Sequence, residues 1–437
     1  MRVYTVEDAK RTILRRKALN RIDYSPVTIK KTEEYFGKGV SPQQAVELIL
    51  RSVEDDGDQA IRKWSALLDR YDGEAIAVPH EKIERAWSGL AEGLQEDMQT
   101  AVARIRSFHE KQPIQSWMTG ETREKLGQRF TPIERVGVYV PGGTAPLPSS
   151  LLMSVIPAQV AGVQQIFVAT PPEPAPSILA AAYLCGVDAV YQVGGAQAIA
   201  ALAFGTETVQ KVDKIVGAGN LFVTLAKQQL YGVVGMDGLA GPTETMVIAD
   251  QSANPEWVAA DLLAQAEHDV QASAILLTPD SGLAVEVREA VAAQLERLSR
   301  KEIILTSLEN SGGIVVTESL DQAAALANEY GAEHLCLSVQ EPEALMGKIN
   351  NAGGFFLGDH SFEVLGDYVA GPSHVMPTGG TARFASPLNV LDFVKISSVI
   401  GLDTVSAQTL STVAASLADL EGLTAHAAAA RARAEEK

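Results

Sequence analysis

Cysteine is nearly absent from this 437-residue chain. Cys185 and Cys336 are the only two, which excludes a disulfide framework and makes a reducing cytoplasm the expected setting. Positive charge is also scarce. Thirty-six Lys and Arg against 54 Asp and Glu leave a formal net charge of -18, so the clustered cations of a nucleic-acid surface are not available. A cationic or small neutral ligand fits better. No apolar run is long enough to span a membrane, and charge interrupts the N-terminal segment too often for a secretory signal. Two chemical fingerprints are missing as well: no His-x-x-x-His pair occurs, and Phe222 takes the third glycine's place after Gly217 and Gly219, so no dinucleotide fingerprint is completed.

What is present is 46% hydrophobic and 21% charged with 36 Gly and 20 Pro, the balance of a globular, enzyme-like chain longer than one ordinary domain. Residues 1–120 read as helical, and 41–54 form an amphipathic helix opened by Ser41 and Pro42. His80 and His109, in polar surroundings, read as surface residues. From Val136 the period changes. Strand-length runs at 136–141, 165–170, 189–193 and 211–216 alternate with helical runs at 149–162, 176–186, 196–204 and 221–232. A second series has strands at 245–250, 272–278, 313–317, 334–339 and 354–357, with helices at 255–268, 283–299, 319–330 and 341–350. This rhythm predicts an α/β fold of two doubly wound, incomplete Rossmann-like units, with a helical N-terminal region, a helical C-terminal tail and a cleft between tightly packed units. Glycine loops at 141–144, 194–197 and 217–220 would then end on one rim, where they suit either ordinary tight turns or a nucleotide phosphate.

Chemistry concentrates in the second half. Residues 261–269 place Gln265 and His268 three apart at the end of an apolar helical run, on one face. On local evidence alone the plainer reading is a helix end with a surface amide and a capping imidazole. Five of the seven histidines follow residue 260, and three adjoin carboxylates: Glu267-His268, Glu333-His334 and Asp359-His360. Such pairs offer acid and base near neutral pH, and Glu333-His334 stands where helix gives way to strand, the rim on which α/β enzymes place chemistry. Cys336 shares a strand face with His334 but reads as a small core residue. The turn-rich segment 366–380 carries Asp367, Tyr368 and His374 as a functional loop. In the Ala-rich tail, Glu421 and His426 stand out.

Several motifs occur together and in order: Gly137-Val-Tyr-Val-Pro-Gly-Gly143, Val193-Gly-Gly-Ala-Gln197, Val212-Asp-Lys-Ile-Val-Gly-Ala-Gly-Asn220, Gln265-Ala-Glu-His268, Glu333-His334, Gly366-Asp-Tyr368, His374-Val-Met-Pro-Thr378 and Leu423-Thr-Ala-His426. In them the chain resembles the histidinol dehydrogenase family, zinc- and NAD-dependent enzymes that oxidise L-histidinol to L-histidine through L-histidinal. The resemblance implies that Gln265, His268, Asp367 and His426 ligate Zn2+, with His426 supplied by the other subunit of a homodimer. It implies His334 as the base for the hydroxyl proton and Glu333 as the group that activates water. Tyr139, Gln197 and Asn220 would bind NAD. Thr243, Gln265, His268, His334, Asp367, His374, Glu421 and His426 would contact substrate, Glu421 again from the partner. The corresponding domains are 1–134, a helical region joining the catalytic domain; 135–242, binding NAD; 243–378, carrying zinc and catalysis; and 379–437, a tail reaching the partner's site.

Three positions depart from the family pattern: Thr243 for Ser, Ala218 for Pro and Ser373 for Asn. Ser373, with Met376, is expected to flank the substrate. Relatives that oxidise other primary alcohols, such as sulfonated diols, form the nearest alternative, but a sulfonate would want an added cation. A zinc hydrolase built on Gln265, His268, Asp367 and Glu333 would leave the glycine loops without use. A non-catalytic nucleotide-binding module would leave the acid-imidazole pairs idle.

Overall fold

The computed structural model describes residues 1–16, 24–119, 124–142 and 146–434. Gly143 and Thr144 of the first glycine loop therefore lie outside the described residues. The chain divides into two compact units, Met1–Gln112 with Glu134–Asp392, and Pro113–Ile133 with Phe393–Lys437. Its strands run in order as β1 (Val3–Thr5), β2 (Trp117–Met118), β3 (Glu124–Pro132), β4 (Arg135–Tyr139), β5 (Gln165–Thr170), β6 (Ala189–Gln192), β7 (Lys214–Val216) and β8 (Gly235–Met236). They continue as β9 (Glu244–Ala249), β10 (Ser273–Thr278), β11 (Gly313–Val316), β12 (His334–Ser338), β13 (Gly354–Leu357) and β14 (Val394–Leu402).

The larger unit holds two parallel sheets, ordered β6-β5-β4-β7-β8 and β1-β11-β10-β9-β12-β13. Parallel strands joined by helices are buried on both faces, which explains their continuous apolar runs. In β9, Met246 and Ile248 enter one core while Val247 and Ala249 enter the other. The predicted α/β fold holds, and the strands fall where the periodicity put them. Several elements escaped that reading, the short β2 and β8 among them. The three residues of β1 carry too short a pattern to register, yet they pair with β11; helix Lys301–Ser311 was passed over; and β3 pairs antiparallel with β14 over its full length. Those last two strands, with β2, form the sheet of the smaller unit, beside the Ala-rich helices Thr404–Leu420 and Thr424–Ala434.

Local signals fix the helices that matter here. Ser41 and Gln44 form a reciprocal capping box at the start of Pro42–Trp64. Asn254 caps Pro255–Ala266, which runs back along β9 and delivers Gln265 to that strand's beginning. Gly331, with φ of 61°, ends Leu320–Tyr330 and turns the chain into β12. His109 is a correction to the sequence reading. It lies one helical turn after Ile105 on the inward face of Glu92–His109, fully buried, with Nδ1 2.9 Å from Gln112 Oε1. Its polar neighbours in sequence face the other way. Among the described residues no helix is long and apolar enough to cross a membrane.

A buried ion pair pins the third glycine loop. Lys227 Nζ donates to the Gly217 carbonyl at 2.9 Å and pairs with Asp237, whose other oxygen accepts the Gly217 N–H at 2.7 Å. Lys227→Met strands Asp237 without its cation and is expected to destabilise the protein by about 3–5 kcal/mol; urea unfolding reads the loss, and adding Asp237→Asn should return much of it. A second prediction concerns Asp261, one turn before Gln265. Burial, and then the charge of Asp359, push its carboxyl up to about 7. A raised carboxyl lowers stability as pH climbs from the unfolded value, roughly 3.9, towards the folded one. Asp261→Asn should therefore melt higher than the parent at pH 8, with the difference gone below pH of about 4.

Candidate active site

One cavity of about 150 Å³ gathers Ser150, Gly217, Thr243, Gln265, His268, Glu333, His334, Asp367, His374 and Met376, a volume that suits a single small ring compound. Its walls are the carboxyl rim of the five-stranded sheet and the amino rim of the six-stranded one. His334 opens β12 and Thr243 immediately precedes β9. This corrects the expected rim: in the second sheet the chemistry sits at the strands' beginnings, because the helix after β9 brings Gln265 back to them.

The polar groups form a directed chain. Gln265, fully buried, donates from Nε2 to Thr243 Oγ1 at 2.7 Å, and that hydroxyl donates to Glu333 Oε2 at 2.6 Å. The Glu244 N–H adds a second donor to the same oxygen at 2.9 Å. His334 Nδ1 lies 3.2 Å from the Glu244 carbonyl, so Nδ1 carries a proton towards that oxygen and Nε2 is the nitrogen left to exchange one. Two buried atoms have no hydrogen-bond partner here, Gln265 Oε1 and His334 Nε2. Asp367 Oδ1 stands 3.7 Å from His334 Nε2 and 3.8 Å from His374 Nδ1. The His374 ring is itself held between the Asp367 carbonyl at 2.7 Å and the Ser150 hydroxyl at 3.2 Å.

Electrostatics tie these groups together. Burial raises Glu333 to about 7, against the pull of His334. Burial opposes a charge on His334, but Glu363, Glu333 and Asp367 outweigh it and hold the imidazole up to about 10. Glu363, also buried and bonded to the Thr245 hydroxyl, is raised to about 8 by desolvation. Desolvation lowers His268 and His374. Three carboxyl groups thus surround one charged imidazole, and the upward shifts of two of them mean that the cavity favours added positive charge. Among the described residues no three His, Cys, Asp or Glu side chains are placed to hold a metal by themselves.

The residues expected at the cofactor lie on the other sheet's carboxyl rim. Tyr139 ends β4, and its hydroxyl accepts the Gly195 N–H at 3.1 Å. Gln197 donates from Nε2 to Asp69 Oδ2 at 3.0 Å and keeps a buried, unpartnered Oε1. Asn220 is exposed and caps Leu221–Gln229, accepting from Phe222 and Val223. Gly217, at φ of 106°, lies against the Tyr139 carbonyl, where an added Cβ would come within 2.1 Å. No other residue fits that approach.

Glu421 and His426 belong to the smaller unit, both exposed, at the junction and first turn of its two helices. Two further readings need correction. Asp367 sits on the short helix Glu363–Tyr368 rather than in a loop. Ser373 is buried and donates to the Met153 carbonyl at 3.1 Å, so it leaves Met376 to line the cavity. Cys336 is packed in the core as expected. Polar groups that the sequence reading passed over are Glu363, Ser150 and Asp69. Glu363, four residues before Asp367 on one helix, was discoverable from spacing; Asp69 required the fold.

Comparison with known proteins agrees across the chain. The family model for histidinol dehydrogenase matches residues 37–434. The histidinol dehydrogenase of Geobacillus kaustophilus is 48% identical over 94% of this chain and 97% of its own length. That of Thermus thermophilus is 49% identical over 88% and 93%. A crystal structure of histidinol dehydrogenase from Elizabethkingia anophelis superimposes with a TM-score of 0.90 at 34% identity, covering 99% of this chain and 98% of that one. The chain belongs to the histidinol dehydrogenase family, the NAD-dependent oxidoreductases of histidine biosynthesis.

Proposed function

We propose that this cavity is where L-histidinol is oxidised to L-histidine in two successive hydride transfers, each to an NAD, with the aldehyde held between them. The observation that carries the reading is the Gln265 amide. Its Nε2 is committed to Thr243 while Oε1 is buried without a partner, in the same cavity as His268, Asp367, Glu333 and His334. An orphaned amide oxygen, an imidazole and a carboxylate are a donor set that fits Zn2+, with His426 of a second copy as the fourth ligand. Bound there, zinc would orient the substrate's amine and imidazole. The carboxylate excess favours the same cationic substrate and disfavours a sulfonate.

His334 takes the hydroxyl proton at Nε2 as hydride leaves the carbinol carbon. To act as a base it must first lose its own Nε2 proton, and positive charge beside Asp367 weakens the carboxylates that retain it. Glu333, raised by burial, then accepts a proton from the water that adds to the aldehyde. The hydrate gives up a second hydride to become the carboxylate. Tyr139, Gln197 and Asn220 hold the cofactor, and Thr243, His374 and Glu421 the substrate. Domain roles follow: 135–242 for NAD, 243–378 for zinc and catalysis, 379–437 for the neighbouring subunit's site, in a cytoplasmic enzyme.

A homodimer is supported by the smaller unit, which exposes Ile400 at 74%, Val413 at 56%, Leu417 at 57% and Leu420 at 84%. Val413, Leu417 and Leu420 recur at helical spacing on one face of Thr404–Leu420, and an exposed apolar face of this kind fits an interface.

NADH absorbance with L-histidinol and added zinc tests the activity, and a zinc-loaded protein that leaves histidinol untouched overturns the reading. Glu333→Gln should slow the aldehyde half-reaction about 10²- to 10⁴-fold while sparing alcohol oxidation; unchanged histidinal turnover removes Glu333 from its role. Site sharing has its own check. Mixed Asp367→Ala and His426→Ala chains should regain activity through heterodimers with one intact site, and mixtures that stay inactive refute a ligand from the partner.

A further inference from the structure

Arg16, one layer behind the cavity lining, reaches the backbone that holds both proposed catalytic groups. Its guanidinium forms a two-pronged pair with the Glu244 carboxylate, one prong at 2.7 Å. Nε donates to the Tyr330 carbonyl at 2.9 Å, Nη2 to the Gly331 carbonyl at 3.3 Å, and the group stacks 3.4 Å from the centre of the Tyr330 ring. Glu244 is buried, and its carboxylate also accepts the Gly379 N–H at 3.1 Å. Its main chain does the rest: the N–H is on Glu333 and the carbonyl is against His334. One side chain thus ties the start of β9, the turn that leads into β12, and the segment following Thr378.

We propose that Arg16 is a positioning residue for Glu333 and His334, acting through Glu244. The inference rests on the roles given to those two residues above. A planar fork fixes the distance between two backbones in a way a single ammonium does not. Arg16 does not border the cavity, so its loss should loosen the reacting geometry without touching ground-state contacts with substrate.

The test is steady-state kinetics on two variants of the zinc-loaded enzyme. Arg16→Lys keeps the charge and removes the fork. Arg16→Met combined with Glu244→Gln removes both charges, leaves no unpaired ion, and decides the matter should the lysine variant fail to fold. In folded protein kcat is expected to drop roughly 10- to 100-fold for both half-reactions, with KM for histidinol little changed. Wild-type kcat in either folded variant overturns the proposal, as does a loss carried by KM alone. Glu333→Gln and His334→Gln are measured alongside. If they also keep wild-type rates, the reading of the site fails; if they are crippled while the Arg16 variants are not, the positioning role fails by itself.

Discussion

Parallel pairing of β9 with β12 is the constraint on which the site depends. Their register sets His334 opposite Thr245, so the residues just before each strand, Thr243 and Glu333, are brought side by side. No loop flexibility is needed. Both strands are buried on two faces, and a slip of one residue would send core side chains to the wrong layer. The core therefore enforces the geometry of the carboxylate and the imidazole. Gln265 arrives by the same logic, because the helix after β9 must return along the sheet and stop near its beginning.

The second organising feature is electrical. Glu333, Glu363 and Asp367 converge around His334, each paired with hydroxyls, amides or imidazoles and, among the described residues, none with a lysine or arginine. Such a cluster is costly to assemble unless protons or cations moderate it. Protons do so in the isolated chain, as the raised values of Glu333 and Glu363 express. A bound cation would do so during catalysis. The acidity that first appears as bulk composition is thus focused where a positively charged substrate is handled.

Much of this was legible in the sequence, and the parts that were not share a cause. Parallel strands announce themselves through unbroken apolar runs, so β4 to β7 and β9 to β13 could be placed by inspection. Gln265 and His268 were visible as neighbours on one helix face, but only the fold shows that the amide oxygen has no partner. His109 and Ser373 were misjudged because polarity in sequence says nothing about which way a helix or turn faces. The amino-rim location of His334 depends on strand direction, and periodicity carries no direction. Arg16 and Glu244 are 228 positions apart, and no local pattern links them.

The Gln265 amide carries one more implication. Glutamate is nearly isosteric with glutamine, so packing does not choose between them at this position. Hydrogen direction does. The amide must give a hydrogen to Thr243, whose own hydrogen is already spent on Glu333, and an ionised carboxylate would leave that hydroxyl facing two acceptors. It would also bring a fourth carboxyl group to a cluster that already needs protons to moderate three. The most shape-preserving replacement is therefore among the least tolerable, because it reverses the direction of a buried hydrogen bond.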